Sequence, residues 1–435
     1  MSALDMAYRL IRRVEQNAYS NIALDSEFTS SELSDKEKRL AARLFYGTIE
    51  RRITLEHILE KYLSKPLSKL DAEVRITLML GVYQLLYVNS VPDNAAVYES
   101  AELVKRLRKA SAAGMVNAIL RSFIRDGKAI LDEDKLWVKY SCPQELTERI
   151  SEGYGRDKCI SLLEASLKAS KTVLRVNTLK TDGEALISDF GRQGISAEIS
   201  DIIPDCIVTE GLRNVDREEN YLKGLYHVQD ISSQLCCMAV NPERGEIVID
   251  ACSAPGGKAF TMAELMEGGG KIYACELHEK RTELIRSGAV RLGLTNIAAV
   301  TGDARNALEA LPMADKVLCD VPCSGYGVIR NKPELKYKPL SQSERLPKIQ
   351  LAILTSASRR VKSGGLLVYS TCTVNIKENE DVVNAFLSAN PDFYGEDFDE
   401  AVTSAADTFK GKFMTAVFPD KFECDGFFIC RLRRR

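Results

Sequence analysis

Apolar residues recur with a helical period through the first 130 positions. The stretch 4–14 gathers its apolar residues on one side, with Arg9, Arg12 and Arg13 off that stripe. Ser34 followed by Glu37 has the spacing of a capping box and opens a helix through Ile49. The run 68–87 supplies Ile76, Leu78, Met79, Leu80, Val82, Leu85 and Leu86 to a buried side. Pro92 stands before another start, and helical patterning continues over 94–107 and 113–124. Gly114 inside the last of these suggests a close helix contact. The pattern predicts an all-α bundle of roughly five to seven helices.

Around Ser141-Cys142-Pro143 the pattern changes. Positions 144–167 read as helix, 171–179 as strand, 183–191 as helix, and 197–203 and 206–208 as short apolar runs. Together these predict a small α+β module. The segment 226–234 leads into a helix through Met238 that Asp230 or Ser232 can cap. From Ile247 onward strands alternate with helices, the strands falling at 247–250, 271–276, 296–300, 315–319 and 365–370. That alternation predicts βαβ units on a parallel sheet. The expected layout is therefore multidomain: a helical domain over 1–135, an α+β subdomain over 140–235, and a Rossmann-like α/β domain over 236–435.

Composition narrows the function classes. With 435 residues the chain is too long for one core. Lys and Arg number 59 against 61 Asp and Glu, so any attraction to nucleic acid must come from local patches. Three places offer one: the cluster Lys105, Arg106, Arg108 and Lys109, the module around Arg175, and the tail Arg431, Arg433, Arg434 and Arg435. The cluster reads more readily as a solvated helix face, and the tail equally as a solvated end. The twelve cysteines stand singly except Cys236-Cys237, no C-x-x-C occurs, and only three histidines are present. That pattern predicts reduced thiols in a cytoplasm and no metal site. No apolar leader and no run of 18 apolar residues is found, so neither export nor a membrane span is expected.

Ligands of parallel α/β sheets bind at the carboxyl ends of the strands. The first predicted strand ends in Asp250 and runs into Ala251, Cys252, Ser253, Ala254, Pro255, Gly256, Gly257 and Lys258. This glycine turn is not a dinucleotide fingerprint, because G-x-G-x-x-G is missing. It is not a Walker A loop either, since Cys252 and Ala259 stand where that motif has Gly and Ser or Thr. The second strand ends in Glu276, suited to accepting from a ribose diol. The third ends near Asp303, and the fourth in Asp320-Val321-Pro322-Cys323-Ser324-Gly325. The fifth runs into Thr371-Cys372-Thr373. Acids and two cysteines thus converge on one edge of the sheet.

These strings, with Arg175-Val176-Asn177, Val228-Gln229-Asp230 and Asp425-Gly426-Phe427-Phe428, resemble the RNA (cytosine-5)-methyltransferase family. Within it the chain resembles the bacterial 16S ribosomal RNA enzymes that carry a NusB-like RNA-binding domain. The region of Ala95, Ala96 and Val97 and the string 117–121 fit that helical domain, and the resemblance spans essentially the whole chain.

The resemblance implies S-adenosylmethionine as methyl donor. Residues 252–258 would cradle its amino-acid part, Glu276 would accept from the ribose hydroxyls, and Asp303 would lie at the adenine amine. Asp320 would sit between donor and base. Two positions depart from the common pattern: Ala259 where Thr is frequent, and Cys424 where His is frequent.

Chemistry asks for the same parts. Cytosine C5 is a poor nucleophile until a thiolate adds at C6 and makes C5 enamine-like. The added state needs a partner at N3, and a proton must leave C5 before the sulfur departs. The motif at Cys323 alone leaves the attacking sulfur open, because DNA cytosine-5 enzymes use a cysteine in such a string. By resemblance Cys372 attacks and Cys323 assists elimination. Asp320 is the candidate for N3, and Lys258 supports the same centre.

A base buried in a duplex must be flipped or unpaired. Naked or partly assembled small-subunit RNA is therefore the expected substrate, and a monomer the expected state. Three rivals remain. An exocyclic-amine methyltransferase would have an aromatic after Asp/Asn-Pro-Pro rather than Val321 and Cys323. A nicotinamide oxidoreductase lacks its fingerprint. A non-catalytic RNA-binding or assembly protein would bind no donor.

Overall fold

The computed structural model describes residues 2–16, 20–29, 31–130, 134–212, 214–405, 407–419 and 423–435. They form two compact units, one comprising Met1–Lys168 with Ile329–Lys338, the other Ala169–Val328 with Pro339–Arg435.

The first unit is helical. Its axis is the helix Ala72–Tyr87, which buries residues on nearly every side and so reads as apolar all round rather than amphipathic. Around it lie Ala3–Glu15, Asp35–Glu50, Arg52–Glu60, Asp93–Arg106 and Ala113–Arg125. The expected capping box is present: the Glu37 N–H donates to Ser34 Oγ, and the Ser34 N–H donates to the Glu37 carboxylate. Close contact occurs at glycines other than the one expected. A Cβ at Gly114 would meet open space, whereas one at Gly47 would overlap the Tyr83 ring and one at Gly81 would press on Leu120.

The basic cluster is largely neutralised on the surface. Lys105, Arg106 and Lys109 pair with Glu102, Asp5 and Asp71. The helices Gln144–Tyr154 and Arg156–Ala165 also belong to this unit, as does the run Ile329–Lys338 from deep within the later sequence. That run is fastened by backbone acceptors: Tyr337 donates to the Ile49 carbonyl at 2.7 Å and Lys336 to that of Glu50 at 2.8 Å. Burial pulls the Lys336 ammonium down to about 8.

The second unit contains two sheets among the described residues. The smaller has antiparallel order β2-β3-β1-β4, from β1 (Thr172–Val176), β2 (Ser196–Ile199), β3 (Cys206–Glu210) and β4 (Tyr226–Val228). The helix Gly183–Arg192 covers it, packing Leu186 and Phe190 onto Leu174, Val176, Ile207 and Tyr226.

Arg175 is not an RNA contact. It is buried (3% exposed), and its guanidinium reaches Glu264 and Asp205, each at 3.3 Å. The Glu264 side chain is fully buried, so removing its cation strands a charge. Arg175→Met is expected to cost about 3–5 kcal/mol, read as a lowered unfolding temperature in calorimetry; a wild-type melting profile would contradict this account.

The larger sheet takes β5 (Ile247–Asp250), β6 (Lys271–Glu276), β7 (Ile297–Thr301), β8 (Ala314–Asp320) and β9 (Val361–Thr371) in parallel. It adds β10 (Phe393–Gly395), β11 (Met414–Val417) and β12 (Phe427–Arg434) at the far edge. The order is β10-β12-β9-β8-β5-β6-β7, with β11 paired to β12. The five parallel strands fall where the sequence places them, β9 starting earlier and shifting register near Ala314 and Lys316.

The chain enters at β5, moves outward through β6 and β7, then returns to the other side of β5 with β8. The strand ends of β5 and β8 therefore flank the switch point, where side chains of both halves meet.

The basic tail is part of this sheet. β12 runs antiparallel to β9. Arg431 pairs with Glu396 and Asp399, Arg433 with Glu396, and Arg434 with Asp392. These three arginines brace the sheet edge rather than form a free arm for RNA.

Candidate active site

The loop after β5 is shaped by glycine. Gly256 sits at φ 112°, and a Cβ there would meet the Phe260 ring at 2.4 Å. Ser253 N–H donates to the Cys275 carbonyl at 2.7 Å and Gly256 N–H to that of Ser253 at 2.8 Å, which folds the loop over the end of β6. The helix Gly257–Leu265 then starts without a side-chain cap, leaving first-turn N–H groups at the strand ends.

Glu276 is buried at the end of β6. It accepts the His278 N–H at 3.1 Å and pairs with Arg281, which also donates to the Ala254 carbonyl at 2.8 Å. Gly302 N–H donates to the Glu276 carbonyl, which sets Asp303 beside this strand end. Both Asp303 oxygens accept from Arg305, so a ligand's amine would compete with that guanidinium.

Asp250, at the end of β5, was not among the residues the sequence nominated for the donor. It is 1% exposed, and neither carboxylate oxygen has a hydrogen-bond partner among the described residues. The Ser253 hydroxyl and the Cys252 N–H face the acid without closing a hydrogen bond of ordinary geometry, and they oppose the rise of its pKa. Burial pushes the Asp250 carboxyl up to about 7. A buried acid with two open oxygens fits a cationic ligand group. The donor-site residues thus suit S-adenosylmethionine: an orphaned acid at β5, a glycine turn without side-chain bulk, and a buried carboxylate at β6.

Across the switch point the other residues join. Lys258 Nζ donates to Asp320 Oδ2 at 2.8 Å and to Ser233 Oγ at 3.3 Å, and lies 5.1 Å from the centre of the Phe427 ring. Burial opposes the Lys258 charge, but Asp320, with Cys236 and Cys237, raises the ammonium's pKa above its ordinary value. Ser370 donates to Asp320 Oδ1 at 2.9 Å, so the acid is held from β9 as well. Cys323 follows β8 and Cys372 follows β9, neighbouring parallel strands, and their sulfurs lie 3.1 Å apart. The Cys323 thiol is raised well above its ordinary range, first by its hydrogen bond with Cys372 and then by burial.

Every nominated residue therefore lies at the carboxyl edge of the large sheet, with Lys258, Asp320, Cys323 and Cys372 closest together. Ala259 is fully buried among apolar neighbours, and Cys424 is buried ahead of Asp425, whose N–H donates to Asp230 at 3.2 Å. Sequence reading missed Asp250, Ser233, Ser370 and Glu378. Asp250 and Ser370 carried a signal, their place at a strand end.

Comparison with known proteins agrees along the whole chain. Residues 1–125 match the NusB family, and residues 142–216 a ferredoxin-like domain of RsmF/B-like methyltransferases. Residues 237–433 match the family described as 16S rRNA methyltransferase RsmB/F. A Bacillus subtilis (strain 168) protein named "Probable ribosomal RNA small subunit methyltransferase B" is 38% identical, covering 100% of this chain and 99% of that one. A Synechocystis protein of the same name is 32% identical, with 100% of each chain covered. The crystal structure of PH0851 superposes with a TM-score of 0.84 at 25% identity, covering 99% of this chain and 98% of that one. With both cysteines and the donor loop in place and full-length relatives above 30% identity, the chain belongs to the RsmB/F family of 16S rRNA methyltransferases.

Proposed function

We propose that the protein methylates C5 of a cytosine in 16S ribosomal RNA, using S-adenosylmethionine. The observation that carries this reading is the pair of sulfurs 3.1 Å apart beside the Lys258–Asp320 contact. Amine methylation needs no nucleophile, and hydride transfer needs no thiol.

The bound donor supplies an electrophilic methyl group on a sulfonium. Residues 252–258 and Glu276 would hold it, with Asp250 toward its ammonium and Asp303 toward its adenine. Cys372 adds to C6. Asp320, oriented by Lys258 and Ser370, holds N3 in the added state. A base takes the C5 proton, the C6–sulfur bond breaks to restore the ring, and Cys323, 3.1 Å from Cys372, assists that elimination. An ordinary thiol ionises near 8.5, so the attacking sulfur gains from a neighbour that donates a hydrogen bond to it.

The test is incubation of 16S rRNA with labelled donor, followed by nucleoside mapping. The expected product is 5-methylcytidine; label on an exocyclic amine, or no donor binding, would overturn the proposal in favour of the amine or assembly readings.

Donor affinity is expected to depend on pH through Asp250. Its folded pKa, about 7, lies above the ordinary 3.8. Between those values the free folded protein binds a proton that the unfolded chain releases, so free-protein stability falls as pH rises across this window. A cationic ligand favours the ionised acid. Affinity should therefore strengthen by up to about tenfold per pH unit below 7 and level off above, while the donor's α-amino group stays charged (to about 7.7). Titration calorimetry reads this directly, and Asp250→Asn should flatten the profile.

The substrate is proposed to be naked RNA or an early assembly intermediate, acted on by a monomer in the cytoplasm. No helix among the described residues is long and apolar enough to cross a membrane. Methylation should run at least about tenfold faster on protein-free RNA than on finished subunits, because the cytosine must leave its stack. Equal rates on the two would argue against this preference.

A further inference from the structure

Two loops carry the cysteines, and one side chain joins them. Glu378 closes the short turn Ile376–Glu378 ahead of the helix Glu380–Ala389 and is fully buried. Its Oε1 accepts from Ser324 Oγ at 2.6 Å and Asn375 Nδ2 at 2.8 Å. Its Oε2 accepts from the Ser324 N–H and from Gln350 Nε2, each at 2.9 Å. The same Gln350 amide donates to the Pro322 carbonyl at 2.9 Å, so both neighbours of Cys323 are tied to this carboxylate. On the other side, Ser324 Oγ lies 2.7 Å from Thr373 Oγ1, and Asn375 follows two residues later. The Glu378 carbonyl accepts from Tyr369, the buried ring on β9.

All four donors to the carboxylate are neutral. A buried carboxylate without a cation is tolerated only when its lone pairs are filled, as here. An amide of the same shape has one acceptor atom instead of two, so it cannot take the four bonds. The charge also has a direction. The groups facing Cys323 are Cys372, Glu378, Asp320 and Tyr369, with Lys258 held on Asp320. Of these, Glu378 and Asp320 are anions that disfavour a second negative charge on Cys323.

We infer that Glu378 is a positioning residue for the cysteine pair: it fastens the Cys323 loop against the Cys372 loop and so sets the relative reactivity of the two sulfurs. The inference rests on the reading of Cys372 as nucleophile. The two sulfurs share one contact at 3.1 Å, and the anions beside Cys323 disfavour a charge there. Without Glu378 the Cys323 loop loses its anchor at Ser324, and the two thiols become alike.

The test uses the full-length protein without RNA or donor. Iodoacetamide alkylation of each cysteine is followed by mass spectrometry from pH 6 to 10, in wild type, Glu378→Gln and Glu378→Asp. In wild type Cys372 should react at least about tenfold faster than Cys323 near pH 8. In Glu378→Gln the ratio should fall below about threefold, and kcat for methyl transfer should drop about a hundredfold with donor affinity unchanged. Glu378→Asp should recover part of the ratio. A lowered melting temperature with a wild-type alkylation ratio would reduce Glu378 to packing and overturn the inference. Should Glu378→Gln not fold, Ser324→Ala removes one of the four bonds and must shift the ratio in the same direction. The alkylation ratio needs no turnover, so it stands apart from a failure to find 5-methylcytidine.

Discussion

Replacing Cys323 with Ala will leave the protein covalently joined to its RNA, whereas Cys372→Ala will bind RNA, form no bond to it and lose turnover by at least about 10⁴-fold. The asymmetry follows from what each sulfur does. Without Cys372 nothing adds to C6, C5 stays unreactive, and the complex dissociates intact. Without Cys323 addition and methylation proceed, but the step that frees C6 lacks its helper and the adduct accumulates. The sulfurs lie 3.1 Å apart on loops after adjacent parallel strands, so either could reach a base on steric grounds alone. What separates them is their surroundings, since the Glu378 and Asp320 carboxylates face Cys323 and disfavour a charge there. Denaturing gels of each variant with labelled RNA read the outcome, and trapping by Cys372→Ala instead would exchange the two roles.

Asp320→Asn should lower kcat about 10²–10³-fold while the RNA KM changes by less than about threefold. Asparagine keeps the size of the side chain and one acceptor toward Lys258, but it removes the carboxyl that can pass a proton to N3. The added state develops its charge and its proton demand at that position, so the loss falls on the transition state rather than on binding. The change also leaves Lys258, whose side chain is 13% exposed, without the anion that holds it charged. Single-turnover rates separate this from slow product release. A drop of less than about fivefold would remove Asp320 from the N3 role.

Much of this arrangement is visible in the order of residues. A parallel strand cannot end in the middle of its sheet without handing its next residue to the carboxyl edge. Strings such as Asp320 to Gly325 and Thr371 to Thr373, each following a β-branched or apolar run, therefore had to meet there. The capping box at Ser34 and Glu37, the helix cap at Asp230 and the five parallel strands were legible for the same reason: each depends on neighbours three or four positions away, or on one period.

Charge was left open between a solvated face and an RNA contact, because a basic residue looks alike in sequence whether it faces solvent or an acid brought from elsewhere. Arg175 meets Glu264 across 89 positions, and Arg431 meets Glu396 across 35. Gly114 was misread, since helical period marks which side of a helix is apolar but not how near the next helix comes. The entry of Ile329–Lys338 into the helical unit left no mark in composition at all.

By itself, then, the sequence determined the layered order of helical, α+β and α/β parts, the glycine turn, and the presence of two cysteines and their acids at one sheet edge, because these are set by local period and strand polarity. Only the tertiary structure decided that Asp250 stands unpartnered, that Glu378 joins the cysteine loops, and that the arginines of the tail are braced rather than free. Each of those depends on distances between segments far apart in the chain, which packing alone fixes.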